Sequence, residues 1–593
     1  MVITDSTSFR RGDHLIPHDD ETGKTAAITI RGKNIVVDFG GLTLRGTPAT
    51  LEPNERKGTA ILVEGENITI RNLNVHGYKI GLIANGVSDL KLLDSDFSYN
   101  WKARLGSTRE REDLADWMSF HHNENDEWLR FGAAIYLKNC RRPEVRGVRA
   151  VGGQCGLMLT RTDRGLFWNN NFSFLGAVGL GMYRSSDNRI MHNRIDWCVR
   201  GFSLGVYNRG QDSTGILIYE QSNRNTFAYN SVTHGGDGFF LWAGQTTMDT
   251  GMGGANDNLL WGNDFSHAPT NGIEATFSRN FFVNNLVLEC DHGVWAGYSH
   301  DTVIAGNVFG YNNRSIALEH GQDNKIIGNT FIRDNESIAL WLNDRPQDPN
   351  WGYPKFRDTR SRDYRITENI FSDVVRNVLL LRNTNGVLVE RNQFRNNGNF
   401  MAVEGSTSRV VATQNTLEGV GSGVSLPPGV QGDGLNRRVT GSAPLPSAFS
   451  RNLGDISDNR SYLRRFDLGW NPFVSAGTPF SKILPSHAKG TELSSLLNRY
   501  RVEPLVGGDR TVFLRPGTLR GWKYMIVDQW GPYDFQSPLL MERHRRETED
   551  ATILTFEVLG PRGTWRVARL GEGITLDKSQ GRVGEMVQAR VVG

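Results

Sequence analysis

From residue 163 onward, apolar and polar positions alternate in runs of only three to five residues, each run opened by a polar pair and closed by an asparagine. The pattern reads "SDNRIMHNRI", "NDNLLWGNDF", "HDTVIAGNVF", "QDNKIIGNTF" and "TNGVLVERNQF" in successive copies. The closing residues are Asn170, Asn193, Asn230, Asn263, Asn285, Asn307, Asn329, Asn369, Asn392 and Asn415. Most steps are 22 or 23 residues, and the others equal that length plus an insertion. Earlier, Asn72 in "GENITIRNLNV" and Asp94 in "VSDLKLLDSDF" repeat the spacing, and "GKNIVVDFGGLTL" supplies a first copy near residue 34.

Alternation this brief, punctuated by turns, predicts very short strands. A period of 22 is too short for a paired-helix repeat and lacks a leucine-rich framework. It fits one coil of a parallel β-helix, three strands and three turns stacked on the next coil at about 4.8 Å. The expected fold is all-β: a right-handed, single-stranded parallel β-helix of about 14 coils. The recurring asparagine is expected inside it, as a ladder in which each side chain satisfies the backbone of the neighbouring coil.

The division of the chain follows. Residues 1–27 are a cap or lead-in and 28–418 are the β-helix. Residues 101–131 form a charged, helix-like excursion placed to fold over as a lid. Residues 419–506 read as linker and mixed cover, with "TELSSLLNRY" the best helix candidate. Residues 507–593 alternate as longer strands between Gly and Pro turns, which predicts a small β-sandwich. Within it, "DQWGPYDF" is expected to pack against the rod.

Aligning copies on the asparagine brings one strand into register: "GLGMY" (179–183), "GFSLG" (201–205), "GFFLW" (238–242), "GIEAT" (272–276), "GVWAG" (293–297), "SIALE" (315–319) and "SIALW" (337–341). The second and fourth residues are apolar and point inward, so the third and fifth face out. Those outward positions include Tyr183, Phe240, Trp242, Glu274, Trp295, Glu319 and Trp341. Asp237, Asp291 and His292 precede the strand, and His320 follows it. An idle solvated face would carry Thr, Lys, Ser and Asn instead. Insertions at 208–222, 243–255 and 343–362 flank three coils without insertions, which predicts loop walls around a groove floor.

Composition narrows the partners. Lys and Arg total 67 against 64 Asp and Glu, a formal charge of +3, which disfavours a nucleic-acid binder. Four widely spaced cysteines support neither a disulfide framework nor a zinc site. No apolar run reaches membrane-spanning length. The start "MVITDSTSFRRGDH" carries no signal-peptide core, so the chain is either exported, secreted or periplasmic, with its signal removed, or cytoplasmic.

Over residues 28–418 the coil pattern resembles the right-handed parallel β-helix superfamily, which holds polysaccharide lyases, glycoside hydrolases, uronan epimerases and phage tailspikes. The pectin-hydrolase signature is absent, and "HGGDG" at 234–238 is only a faint echo of it. The resemblance implies a polysaccharide or oligosaccharide partner and allows a homo-oligomer.

Exposed aromatic rings suit the faces of sugars, and carboxylates and imidazoles suit hydroxyls. Glycosidic cleavage needs one protonated and one ionised carboxyl. Asp237 and Glu274 are the expected central pair, with Glu319 the alternative partner and His292 the group that orients or tunes them. Tyr183, Trp242, Asp291, Trp295, Arg314, His320 and Trp341 are the expected substrate contacts. No cofactor is required. The alternative is a polysaccharide lyase or uronan epimerase, which would use Arg314, or calcium held by Asp237, Glu274 and Asp291, to neutralise a uronate. A non-catalytic glycan-binding or structural rod is the third reading.

Overall fold

A computed structural model describes residues 1–433 apart from 49–50, 109–110, 202–209, 346 and 419–425, and most strands between 501 and 592. The helix candidate at 491–500 and the rest of the 434–500 cover lie outside the described residues.

The rod is a right-handed parallel β-helix. One row of strands runs without a break from Val2–Ile3 through Asp237–Trp242, Asn271–Thr276, His292–Trp295, Arg314–Glu319 and Glu336–Trp341 to Asn399–Glu404. Every pairing along it is parallel, with residues a coil apart directly opposed. The first strands, Val2–Ile3, Thr7–Ser8 and Asp13–Leu15, all pair with Ile28–Arg45. The lead-in is therefore itself a coil, and the boundary expected at residue 28 falls inside the rod. The next two coils are so regular that Ile28–Arg45 and Thr59–His76 each run as 18 paired residues. They bend where Gly32 and Gly65 stack; Gly65 has φ +126° and a Cβ there would run into the Gly32 carbonyl.

Inside, Phe239, Leu241, Ile273, Val294, Ile316 and Leu340 belong to one continuous apolar core. These are the second and fourth residues of the aligned strands, so the expected alternation holds. The asparagine ladder is complete from Asn170 to Asn415. Asn285 Nδ2 donates to Leu260 O and to Asn307 Oδ1, and its own Oδ1 accepts from the backbone N and the Nδ2 of Asn263. Asn72 and Asp94 are not in it. They lie one residue earlier, in the left-handed region at an outward corner, and Ser95 takes the inward place by accepting from Leu73 N at 3.1 Å. A second ladder, unrecognised in the sequence, links Asn188, Asn225, Asn258 and Asn280 at another corner.

The C-terminal strands are antiparallel. One sheet joins Arg501–Pro504, Thr511–Leu514, Tyr524–Asp528 and Gly531–Pro532. A second joins Leu539–Glu547, Thr552–Leu559, Met586–Val591 and Ile574–Leu576, over a core containing Phe556, Trp565 and Val587, and a third pairs Thr564–Arg566 with Gln580–Arg582. "DQWGPYDF" does meet the rod: Tyr99 Oη donates to Asp534 Oδ2 at 2.7 Å, and Leu105 N donates to Gln529 O at 3.0 Å.

Asn285→Ala removes four hydrogen bonds in the dry interior and leaves several partners unsatisfied. At about 1–3 kcal/mol for each orphaned group, it should destabilise the rod by about 3 kcal/mol or more in denaturant unfolding. Asn399→Ala, at an exposed ladder position, should cost under about 0.5 kcal/mol.

Candidate active site

Parallel pairing in constant register delivers distant residues to one trough. Glu274 sits opposite Phe240 on one side and Trp295 on the other. Asn271, His292, Arg314 and Glu336 form a second row where the chain enters each strand. Glu319 and Trp341 are opposed in a third. Glu274, His292, Trp295, Arg314, Glu319 and Trp341 are all half-buried, so the three rows share an accessible floor.

Asp237 begins the strand Asp237–Trp242 but is fully buried. Its Oδ1 accepts from Thr270 Oγ1 and, at 2.8 Å, from Asn271 N. Its Oδ2 has no hydrogen-bond partner, and Gly210 lies so close above it that a Cβ would collide. Asn271 also donates through Nδ2 to Glu274 Oε2 at 2.7 Å, and its Oδ1 faces His292 Nδ1 at 3.2 Å. Asn271 thus joins both carboxyls and the imidazole. Burial pushes the Asp237 carboxyl up from 3.8 to about 7, against the hydrogen bonds from Thr270 and Asn271; the nearby charge of Asp212 adds to the rise. Burial also raises Glu274 well above the ordinary glutamate value, and the Asp237 charge raises it further. The negative charge of either acid disfavours ionisation of the other, so the pair resists losing both protons.

Behind Asp237 a buried ion-pair chain leads out to the lid. The Arg200 guanidinium meets Asp212 Oδ2 at 3.4 Å and pairs with Glu112 of the 101–131 segment. The other expected residues occupy varied places. Trp295 and Trp341 approach each other at 5.6 Å between ring centres, His292 lies 5.2 Å from Trp295, and Trp341 Nε1 donates to Glu319 Oε1 at 3.1 Å. Arg314 is tied to Glu336 Oε2 through Nε at 3.0 Å and Nη2 at 2.6 Å, with its guanidinium 5.7 Å from the Trp341 ring. Asp291 accepts from Asn313 Nδ2 at the rim. Tyr183 is buried beneath Trp128 and donates to Glu124. His320 is also buried: its Nδ1–H donates to Thr359 O at 2.5 Å, and its Nε2 accepts from Asn343 N at 3.3 Å, so it anchors the 343–362 loop.

The walls differ from expectation in three respects. The outer strand of the coil after Asn193 is Thr214–Tyr219, opposed to both Leu180–Tyr183 and Asp237–Trp242. The segment 208–222 therefore contains a floor strand, and the surplus residues come before it; "GFSLG" falls mostly outside the described residues. Loops 243–255 and 343–362 meet instead of facing each other as separate walls: Arg357 Nε donates to Gly251 O at 2.6 Å. Trp351 and Tyr353 of the second loop pack edge-on against a stack of Phe277, Tyr298 and His320, with ring centres 4.6 and 4.5 Å apart. The 101–131 segment packs on the rod through Met118, Phe120 and Trp128, and its described residues form short 3-10 turns at Leu114–Asp116 and Glu127–Phe131 and no α-helix.

Asn271 and Glu336 were not singled out in the sequence, although the alignment that found His292 and Arg314 places them in the same row. Arg200 and Asp212 carry no sequence signal.

The sequence model of the family described as "NosD: Periplasmic copper-binding protein" matches residues 111–267 and 248–351, less than half of the chain. Among solved structures, an alginate lyase from Paenibacillus sp. strain FPU-7 is 13% identical, covering 65% of this chain and 93% of its own, with a TM-score of 0.28. The A-module of mannuronan C-5 epimerase AlgE6 from Azotobacter vinelandii is 10% identical, covering 74% and 92%, at 0.30. A DFA-IIIase from Arthrobacter chlorophenolicus A6, without its lid, is 12% identical, covering 57% and 75%, at 0.31. No residue's role is carried over from them. No curated protein matches the chain.

The described residues contain no group of three or more His, Cys, Asp or Glu arranged for a metal ion. The four cysteines are buried singly, and burial raises the thiols of Cys140 and Cys155 to about 11 and 12.

The raised Asp237 has a consequence for stability. Between pH 3.8 and about 7 the folded chain holds a proton there that the unfolded chain has lost, so this group's contribution falls as pH rises through that window. Asp237→Asn should remove part of that slope and raise the unfolding midpoint at pH 8 relative to wild type. Calorimetry at pH 5 and pH 8 checks both.

Proposed function

We propose that this chain is a carbohydrate-active enzyme, a glycoside hydrolase that cleaves a glycan held in the trough. The observation that carries the reading is Glu274: a half-buried carboxyl, bridged by Asn271 to a fully buried aspartate, next to half-exposed indoles. Burial and the Asp237 carboxyl favour the protonated form of Glu274, the state a general acid needs near neutrality.

Asp237 acts through Glu274, since it is enclosed beneath Gly210. Glu319 lies two coils and two strand positions away, roughly 12 Å between backbones from coil and residue spacings. Long side chains from both ends bring that toward the separation used with an intervening water. In the step, Glu274 protonates the leaving glycosidic oxygen as the C–O bond breaks. Water attacks the anomeric carbon, and Glu319 takes its proton. The sugar ring lies over Trp295 and Trp341, whose faces bury its apolar side. Holding Arg314 on Glu336 leaves the floor predominantly acidic, which suits a neutral glycan.

A second reading, a polysaccharide lyase or uronan epimerase, is favoured by the place of Arg314 beside Trp341, where its guanidinium would meet a uronate carboxylate. The matching family is described as periplasmic, a setting that accords with a polysaccharide substrate and an exported chain.

Glu274→Gln should lower turnover by about 100-fold or more, the scale of a lost general acid. Asp237→Asn removes the neighbouring charge, lowers the Glu274 pKa, and should move the alkaline limb of the pH–rate profile to lower pH. Reducing-end release from neutral and acidic polysaccharides checks both, and an unsaturated product absorbing in the ultraviolet would select the lyase. Wild-type rates in Glu274→Gln would remove the assignment.

A further inference from the structure

The trough has unequal ends. In the row of Glu274, the preceding residues Tyr136, Met158, Leu217 and Phe240 lie in a buried cluster with Met118, Phe120 and Trp128 of the lid. The lid is fastened there. Asn123 Nδ2 donates to Tyr136 Oη at 3.0 Å, and the Trp128 ring meets Tyr183 at 5.7 Å. His121 closes over Trp242 at 5.2 Å and Tyr219 at 5.7 Å. Glu274 is the first member of the row beyond the lid to keep an exposed edge.

In the opposite direction nothing comparable is built among the described residues. The row continues past Trp295 through Ala317 and Ala339, both buried on strands whose Arg314 and Trp341 are half-buried, to half-buried Leu380 and Ala402, and Arg382, Asn399 and Glu404 beside them are exposed.

We infer that the enzyme acts on chain ends. A glycan terminus enters until it abuts the lid at His121 and Phe240, and the rest of the polymer leaves over residues 377–404. Glu274 lies one coil from the barrier, about 4.8 Å, which is roughly one sugar ring. The bond it protonates is then the first or second from the terminus, so each turnover adds one water and releases a mono- or disaccharide. The inference rests on Glu274 as general acid and specifies what that acid reaches.

The test uses the full chain with a panel of neutral polysaccharides (glucans, mannans, galactans and fructans) and their hexasaccharides labelled at the reducing end with 2-aminobenzamide. Mono- or disaccharide should be the sole small product from the earliest time points, while polymer viscosity stays nearly unchanged. His121→Ala, which thins the barrier, should raise the ratio of disaccharide to monosaccharide several-fold. Mid-length products with early viscosity loss would overturn chain-end action and leave hydrolysis standing. An unchanged product ratio in His121→Ala would count against the lid as the barrier. No sugar release from any member would remove the hydrolase reading and this inference with it.

Discussion

Each coil of this rod takes the hydrogen-bond partners of its strand backbone from the coils above and below it. That requirement fixes the register. Inward-turned corners, where ladder pairing lapses, would leave buried amides unsatisfied at about 1–3 kcal/mol each. The asparagines fill those positions, each amide bonding to backbone on one coil and to the next asparagine. With pitch and register fixed, side chains at equal places in successive coils must share a face. The site is a product of that constraint: Asp237, Glu274 and Glu319 are brought together by winding.

Against this regular background the site is made by departures from it. A buried aspartate is tolerated because Thr270 and Asn271 donate to one oxygen, while the other remains without a partner. A structural role alone would be better served by asparagine, the residue used at every nearby ladder position. Keeping the acid raises the proton affinity of Glu274 beside it. The lid reaches the same place twice, through aromatic packing on Phe240 and Trp242 and through the Glu112–Arg200–Asp212 chain, so the end of the trough and the setting of its acid share one covering segment.

The repeat made the rod legible because a 22-residue spacing admits few architectures and the marker asparagines sit at its inward corners. Outward and inward positions followed from alternation, which is why Glu274, Trp295, Glu319 and Trp341 were recognised together. Alternation could not say which corner of a long coil holds the surplus. "GFSLG" and "GILIY" both suit the coil after Asn193, and only pairing across Tyr183, Tyr219 and Trp242 selects the second. Nor does a sequence show burial, so Tyr183 and His320 looked like their exposed neighbours until the lid and the 343–362 loop were seen over them. Asp212 and Arg200 belong to an irregular stretch without periodicity to align.

The most direct test of the central claim, that the trough beyond the lid is where a glycan is bound and cut, is a crystal structure of Glu274→Gln with an oligosaccharide of whichever glycan proves to be the substrate. The account predicts a sugar on Trp295 and Trp341, a glycosidic oxygen within hydrogen-bond distance of residue 274, one terminus against His121, and the remaining units directed toward residues 377–404. An oligosaccharide bound on another face of the rod, or lying across the coils with both ends free, would contradict it.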